Sequence, residues 1–148
     1  MKQKLLARDA EDLAVFAAYL QDMMMQQGAL SYQAEKRRFA FAGLRFCHEM
    51  PKPHRVRCGV HFNGVQNVET LRFAKGKRGL MLSLLTIGFE GGEETEGRIR
   101  LIFAGEKDSD KTASGEICLH VEAIDGVLSD MDEPYATKRV PDHREVGG

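Results

Sequence analysis

The chain has 148 residues, 43% hydrophobic and 29% charged, with a net charge of −1, a size and balance that suit one domain with its own core. The longest apolar stretch, Leu80 to Phe89, is interrupted by Ser83, Thr86 and Gly88 and falls far short of the ~20 residues that cross a bilayer, so no membrane partner is expected. An isoelectric point near 6.5 also falls short of the strongly basic footprint of a nucleic-acid binder.

The start, Met1 to Asp9, lacks an apolar run and is not expected to be a signal peptide. Three cysteines, Cys47, Cys58 and Cys118, are an odd number at unpatterned spacing. They read as reduced thiols of a cytoplasmic protein. Charge is divided unevenly: residues 1–80 hold 14 Lys/Arg against 7 Asp/Glu, and residues 81–148 hold 7 against 15. Such a split steers partners if it survives folding, and is neutralised if the fold interleaves the two halves.

In chain order, Lys4–Ala7 opens as a strand. Asp9 then suits a helix N-cap, with Glu11 and Asp12 at the positive end of the dipole. Leu13, Phe16, Ala17, Leu20 and Met24 form one helical stripe, which places a helix over Ala10–Leu20 that ends between Gln21 and Gly28. Ala29–Tyr32 follows, then a turn at Gln33–Lys36 and a strand from Arg37 to Phe46 with alternating Phe39 and Phe41. Met50-Pro51-Lys52-Pro53 is a loop, because prolines that close together do not fit a paired strand.

Val56, Cys58, Val60 and Phe62 share one strand face, and Arg55, Arg57, Gly59 and His61 share the other. Asn63-Gly64 reads as a tight hairpin turn or a bulge. Val65–Phe73 continues extended, and Lys75–Gly79 is a basic turn. Leu80–Leu84 fits either one turn of helix or the start of a strand, and Thr86–Phe89 is strand. An acidic turn at Gly91–Gly97 leads to a strand at Arg98–Phe103. Gly105–Gly115 reads as a polar loop, Glu116–Leu128 as extended, and residues 131–148, with Asp130 before them, as a surface tail.

One internal echo stands out. Arg38-Phe39-Ala40-Phe41-Ala42-Gly43 is matched by Arg100-Leu101-Ile102-Phe103-Ala104-Gly105, and Phe62-Asn63-Gly64-Val65 by Ile124-Asp125-Gly126-Val127, both at an offset of 62 residues. The expected fold is therefore α+β, mainly antiparallel sheet with an N-terminal amphipathic helix. Within a single domain over residues 1–148, two pseudo-symmetric β-α-β-β-β units are drawn, about 4–68 and 69–130.

Chemistry-bearing residues are sparse. Cys58 and His61, near Cys47-His48, resemble a metal motif. Strand residues three apart face opposite ways, however, so no metal and no cofactor is expected there. Glu116, Cys118, His120 and Glu122 alternate onto one face. There Cys118 and His120 could form a nucleophile–base pair with Glu122 orienting the imidazole, or simply the wet side of a strand. Arg38, Arg45, Arg100, Tyr135 and His143 are the remaining candidate binding residues.

Several stretches together carry a resemblance. They are Lys4–Ala7, Asp9–Val15, Leu20-Gln21-Asp22, Arg37-Arg38-Phe39, Phe62–Val65, Leu82–Glu90, Leu101–Gly105, and the tail with Pro134–Thr137, Pro141 and His143. With them the chain resembles a bacterial family of small proteins, domain of unknown function 2948. The resemblance implies a bacterial cytoplasmic protein and supplies no activity, cofactor or site residue.

Three functions are in contention. The first is a non-enzymatic interaction or accessory protein, as a homodimer or with a protein partner, motivated by strand edges that must be managed. The second is a small-molecule binder or small enzyme on the strand face around Cys118 and His120. The third is nucleic-acid binding through Lys36, Arg37, Arg38, Arg45, Lys52, Arg55, Arg57, Lys75, Lys77 and Arg78, with Phe39, Phe41, Phe46 and Phe62 interleaved with some of them.

Overall fold

The computed structural model describes residues 2–73, 78–108, 111–133 and 135–136. Lys4–Ala7 forms β1 and Ala10–Leu20 forms α1. Asp9 is in extended conformation and its Oδ1 accepts the Asp12 N–H, while Asp12 Oδ2 accepts the Arg8 N–H. This reciprocal cap satisfies amides that have no partner inside the helix. Leu13, Phe16 and Leu20 are buried and form the helix's apolar stripe, worth roughly 1.5–3 kcal/mol each in transfer from water. The helix stops at Leu20, short of Gly28, and Asp22 turns the chain with φ 68°. Met24 therefore lies outside the stripe, 38% exposed, in the next strand.

The remaining strands are β2 (Met24–Gln26), β3 (Ser31–Gln33), β4 (Arg38–Phe46), β5 (His54–Phe62), β6 (Val65–Leu71), β7 (Met81–Gly91), β8 (Gly97–Asp108), β9 (Lys111–Val121), β10 (Gly126–Asp130) and β11 (Tyr135–Ala136). They join in one sheet in the order β1-β10-β5-β4-β2-β7-β8-β9-β6, with β3 on β4 and β11 on β5. Every pairing is antiparallel. The architecture is mainly antiparallel sheet with, among the described residues, one α-helix.

Alternation places the core. Phe39 and Phe41 of β4, Cys58, Val60 and Phe62 of β5, Ile99, Leu101 and Phe103 of β8, and Ile117, Leu119 and Val121 of β9 join the helix residues in one apolar cluster. On β7 the inward residues are Leu82, Leu84 and Ile87, an odd step. The register against β8 shifts between Leu84 and Thr86, and this bulge keeps Ile87 inward where strict alternation would turn it to solvent. Gly43 lets β2 approach β4, since a Cβ there would lie 2.3 Å from the Met24 carbonyl oxygen.

Of the two readings open at Leu80–Leu84 the strand is the one observed, since β7 begins at Met81. Five expectations are corrected. The second of the two drawn units therefore lacks its helix. Asn63-Gly64 is neither a hairpin turn nor a bulge: Gly64 (φ 70°) is a corner from which β6 leaves β5 and pairs with β9. Within Gly105–Gly115, β8 runs on to Asp108 and β9 starts at Lys111, because ladder hydrogen bonds need no apolar side chains. Glu116–Leu128 is broken between Val121 and Gly126. Asp130 lies within β10 and is 6% exposed, so it is no tail residue. Lys75, Lys77 and His143 fall outside the described residues.

Candidate functional site

On the sheet half made by β7, β8, β9 and β6, the side chains between the core positions point outward. The register sets Arg98 opposite His120 and Arg100 opposite Cys118. From the other side β6 sets Asn67 opposite His120 and Glu69 opposite Cys118. The Cys118 thiol thus lies between a carboxylate and a guanidinium, and it is only 6% exposed.

The surrounding charges are tied together. Arg100 donates through Nη1 to Glu116 and through Nη2 to Glu90 Oε1 at 2.9 Å. Those hydrogen bonds raise the Arg100 pKa and hold Glu90 below the usual carboxylate range. His120 Nε2 lies 2.5 Å from Glu69 Oε1, and this hydrogen bond holds Glu69 low as well. Burial pushes the Cys118 thiol up, against the opposing pull of Arg100 and Arg98. One ligand-type atom each from Glu69, Cys118 and His120 lie within 4.8 Å of one another. Beside them opens a shallow depression of about 590 Å3, lined by Gln66, Glu90, Glu96, Arg98 and His120 among others.

This geometry corrects the proposed orienting residue. Glu122 lies beyond the end of β9 and accepts from Arg37 Nη1 at 2.8 Å and Gln66 Nε2 at 3.2 Å. Alternation ends with the strand, so Glu122 does not continue the Cys118–His120 face. Glu69 takes that place. Sequence reasoning missed it because its relation to His120 spans 51 residues and depends on which strand β6 joins.

A raised thiol is also a poor nucleophile, which weighs against the nucleophile–base pair. Native-state alkylation followed by mass mapping should be slow at all three thiols. Cys118 should label first, because Cys47 and Cys58 are 0% exposed. Faster labelling of Cys47 or Cys58 would contradict this order of access.

The other candidates are dispersed. Arg38 donates to Asn63 Oδ1 at 2.9 Å and lines a second depression, about 520 Å3, with His61 and Ser129. Arg45 is 0% exposed. Its Nε and Nη2 donate to the two Asp130 oxygens, and Nη1 and Nη2 to Glu49, so it is held inside the protein and presents nothing to a ligand. Tyr135 is in β11, opposite Arg55. Cys58 points into the core while His61 lines the outer depression, the opposed facing that argued against a metal there.

Charge and aromatic placement bear on the remaining readings. Arg37 pairs with Glu122, Arg45 with Asp130, and Arg57 with Asp132. Basic side chains of the first half thus meet acids from beyond residue 120, and the sequence asymmetry is interleaved. Phe39, Phe41 and Phe62 are core, which removes most of the aromatic platform a nucleic-acid face would need. No described helix is long and apolar enough to cross a membrane.

No curated protein and no solved structure matches the chain. A family model does match, over residues 3–143, nearly the whole length. The chain therefore belongs to the family described as Protein of unknown function (DUF2948).

Proposed function

We propose that this protein is a small ligand-binding protein whose site is the outer face of β6, β8 and β9 around Cys118 and His120. The observation that carries the reading is the convergence of Glu69, Cys118 and His120 within 4.8 Å at the margin of the depression lined by Arg98 and His120. The lowered Glu69 carboxyl and the raised Cys118 thiol sit together at a concavity, a combination that recurs at functional surfaces. The interaction-protein reading had strand edges as its motive and no site; this face supplies a site. On this reading the protein works in a reducing bacterial cytoplasm, which keeps its three free thiols unpaired.

We also propose that the fold arose from two similar units, about 4–68 and 69–130. The strand order β10-β5-β4-β2-β7-β8-β9-β6 reads alike from both ends when β4 is matched with β8 and β5 with β9. This matches the sequence echo of Arg38–Gly43 in Arg100–Gly105.

The functional reading is tested by amide NMR spectra of the full chain titrated separately with zinc, inorganic phosphate and small carboxylates. At least one class should shift Gln66, Arg98 and His120 while leaving β5 unmoved. No shift from any class at millimolar concentration would sink it.

A further inference from the structure

We infer that the ligand of this face is a thiolate-preferring divalent transition-metal ion of the zinc class, held by Glu69 Oε1, Cys118 Sγ and His120 Nε2. The inference rests on the ligand-binding reading above and narrows it to one chemistry. Cys118 and His120 are two residues apart on β9, so both point to the same side. Glu69 is the direct cross-strand neighbour of Cys118. Two alternate positions of one strand and one position of the next strand make a triangle of donors on a sheet face, with the third dimension open.

The donor set selects the ion. Sulfur and imidazole nitrogen suit zinc and its neighbours, whereas calcium and magnesium take oxygen shells. Bonds of ~2.0–2.3 Å in a tetrahedron put ligand atoms roughly 3.3–3.8 Å apart. The three donors already lie within 4.8 Å. The Glu69–His120 pair, at 2.5 Å, has to open to that spacing, and the Glu69 side chain, 62% exposed, has room to move. Three protein ligands leave a fourth position for water or a small anion, the pattern of open rather than purely structural sites.

Charge and protons balance. The Cys118 S–H releases its proton to solvent and the sulfur donates the freed electron pair to the ion. The His120–Glu69 contact opens, so that each turns its lone pair on the metal; a neutral imidazole with its proton on Nε2 shifts that proton to Nδ1, whereas an imidazolium releases one to solvent and stays neutral as a ligand. One thiolate and one carboxylate then neutralise a divalent cation. The flanking Arg98 and Arg100 consequently face a site of no net charge, and Arg100 is already engaged by Glu90 and Glu116.

The test uses the reduced, chelator-stripped full chain, with zinc affinity read by competition against a chromophoric chelator and cobalt(II) read by its near-ultraviolet thiolate charge-transfer band. One equivalent should bind with that band present. Cys118→Ser should abolish the band. His120→Gln should weaken zinc by about 100-fold or more, since loss of a direct ligand exceeds the 10–100-fold typical of outer-shell changes. Glu69→Gln, at an exposed carboxylate that does not endanger folding, should weaken it by at least about 10-fold, and Glu122→Gln should leave it unchanged. Binding without a thiolate band, or a band that survives Cys118→Ser in folded protein, would overturn the inference. If phosphate or carboxylates shift the NMR signals and zinc does not, the metal falls and the ligand-binding reading stands. If nothing shifts them, both fall.

Discussion

Replacing Arg45 by alanine should lower unfolding free energy by about 3–5 kcal/mol, the cost of leaving a buried ion pair with one partner. Arg45 and Asp130 both have 0% side-chain exposure. Asp130 Oδ2 also accepts the Gln3 N–H at 2.8 Å. The guanidinium of β4 thus holds β10 and the residues just before β1 in one arrangement, and the Tyr19 ring packs 5.3 Å from it. Burial works against charge on Arg45, but the hydrogen bonds to Asp130 and Glu49 raise its pKa all the same. Without it, Asp130 is a carboxylate beside Cys58, whose thiol burial and that same carboxylate push up to about 12.

The acid dependence should change as well. Burial pushes the Glu49 carboxyl up, but its hydrogen bonds from Arg45 and that residue's charge win, so Glu49 titrates below the usual range. A folded-state value below the unfolded one gives stability that is present above about pH 4.3 and lost as pH falls through the folded value. In Arg45→Ala burial and the Asp130 charge, which raise the Glu49 value, outweigh the remaining backbone hydrogen bond that lowers it, and the Glu49 contribution should reverse sign. Urea unfolding of both proteins between pH 3 and 7, about the range where carboxylates titrate, measures this. A loss under about 1 kcal/mol at neutral pH would show that the pair is dispensable.

Phe62→Ala should cost about 3–5 kcal/mol. The ring is 0% exposed. It lies 6.2 Å from the Phe16 ring, and it occupies the space over Gly126, where an added Cβ would lie 2.7 Å from Phe62 Cε1. It therefore joins α1, β5 and β10 at one point, and truncation leaves a cavity that three elements would have to move to fill. Phe16→Ala should cost a similar amount, and the double variant less than the sum, since the second truncation enlarges an existing hole. Additive losses in urea unfolding would mean that the two rings act independently.

Elements with a local cause were legible. α1 came from the Asp9 cap and the Leu13–Phe16–Leu20 stripe, and the faces of β5 and β9 from alternation. Errors fell where distant pairing decides. Met24 fits the helical stripe by spacing, yet Asp22 turns and β2 is taken up between β4 and β7. Arg45 reads from the sequence as a candidate binding residue because nothing near it shows that Asp130, 85 residues away, will be buried beside it. On the outer face of β9, Cys118 and His120 lie together as alternation places them, whereas Glu69 required the β6–β9 register. Glu122 was misplaced by one strand end.

The placement of β1 also bears on how the chain is made. Its neighbour is β10, and Lys4 sits opposite Ser129, so β1 leaves the ribosome long before the strand it pairs with. At ~5–20 residues per second the interval for ~120 residues is roughly 6–25 s. During that time Ala7 and the apolar side of α1 lack their final cover. A nascent chain of this design needs shelter for β1 and α1, and closing so long a loop makes the β1–β10 seam a late event in folding.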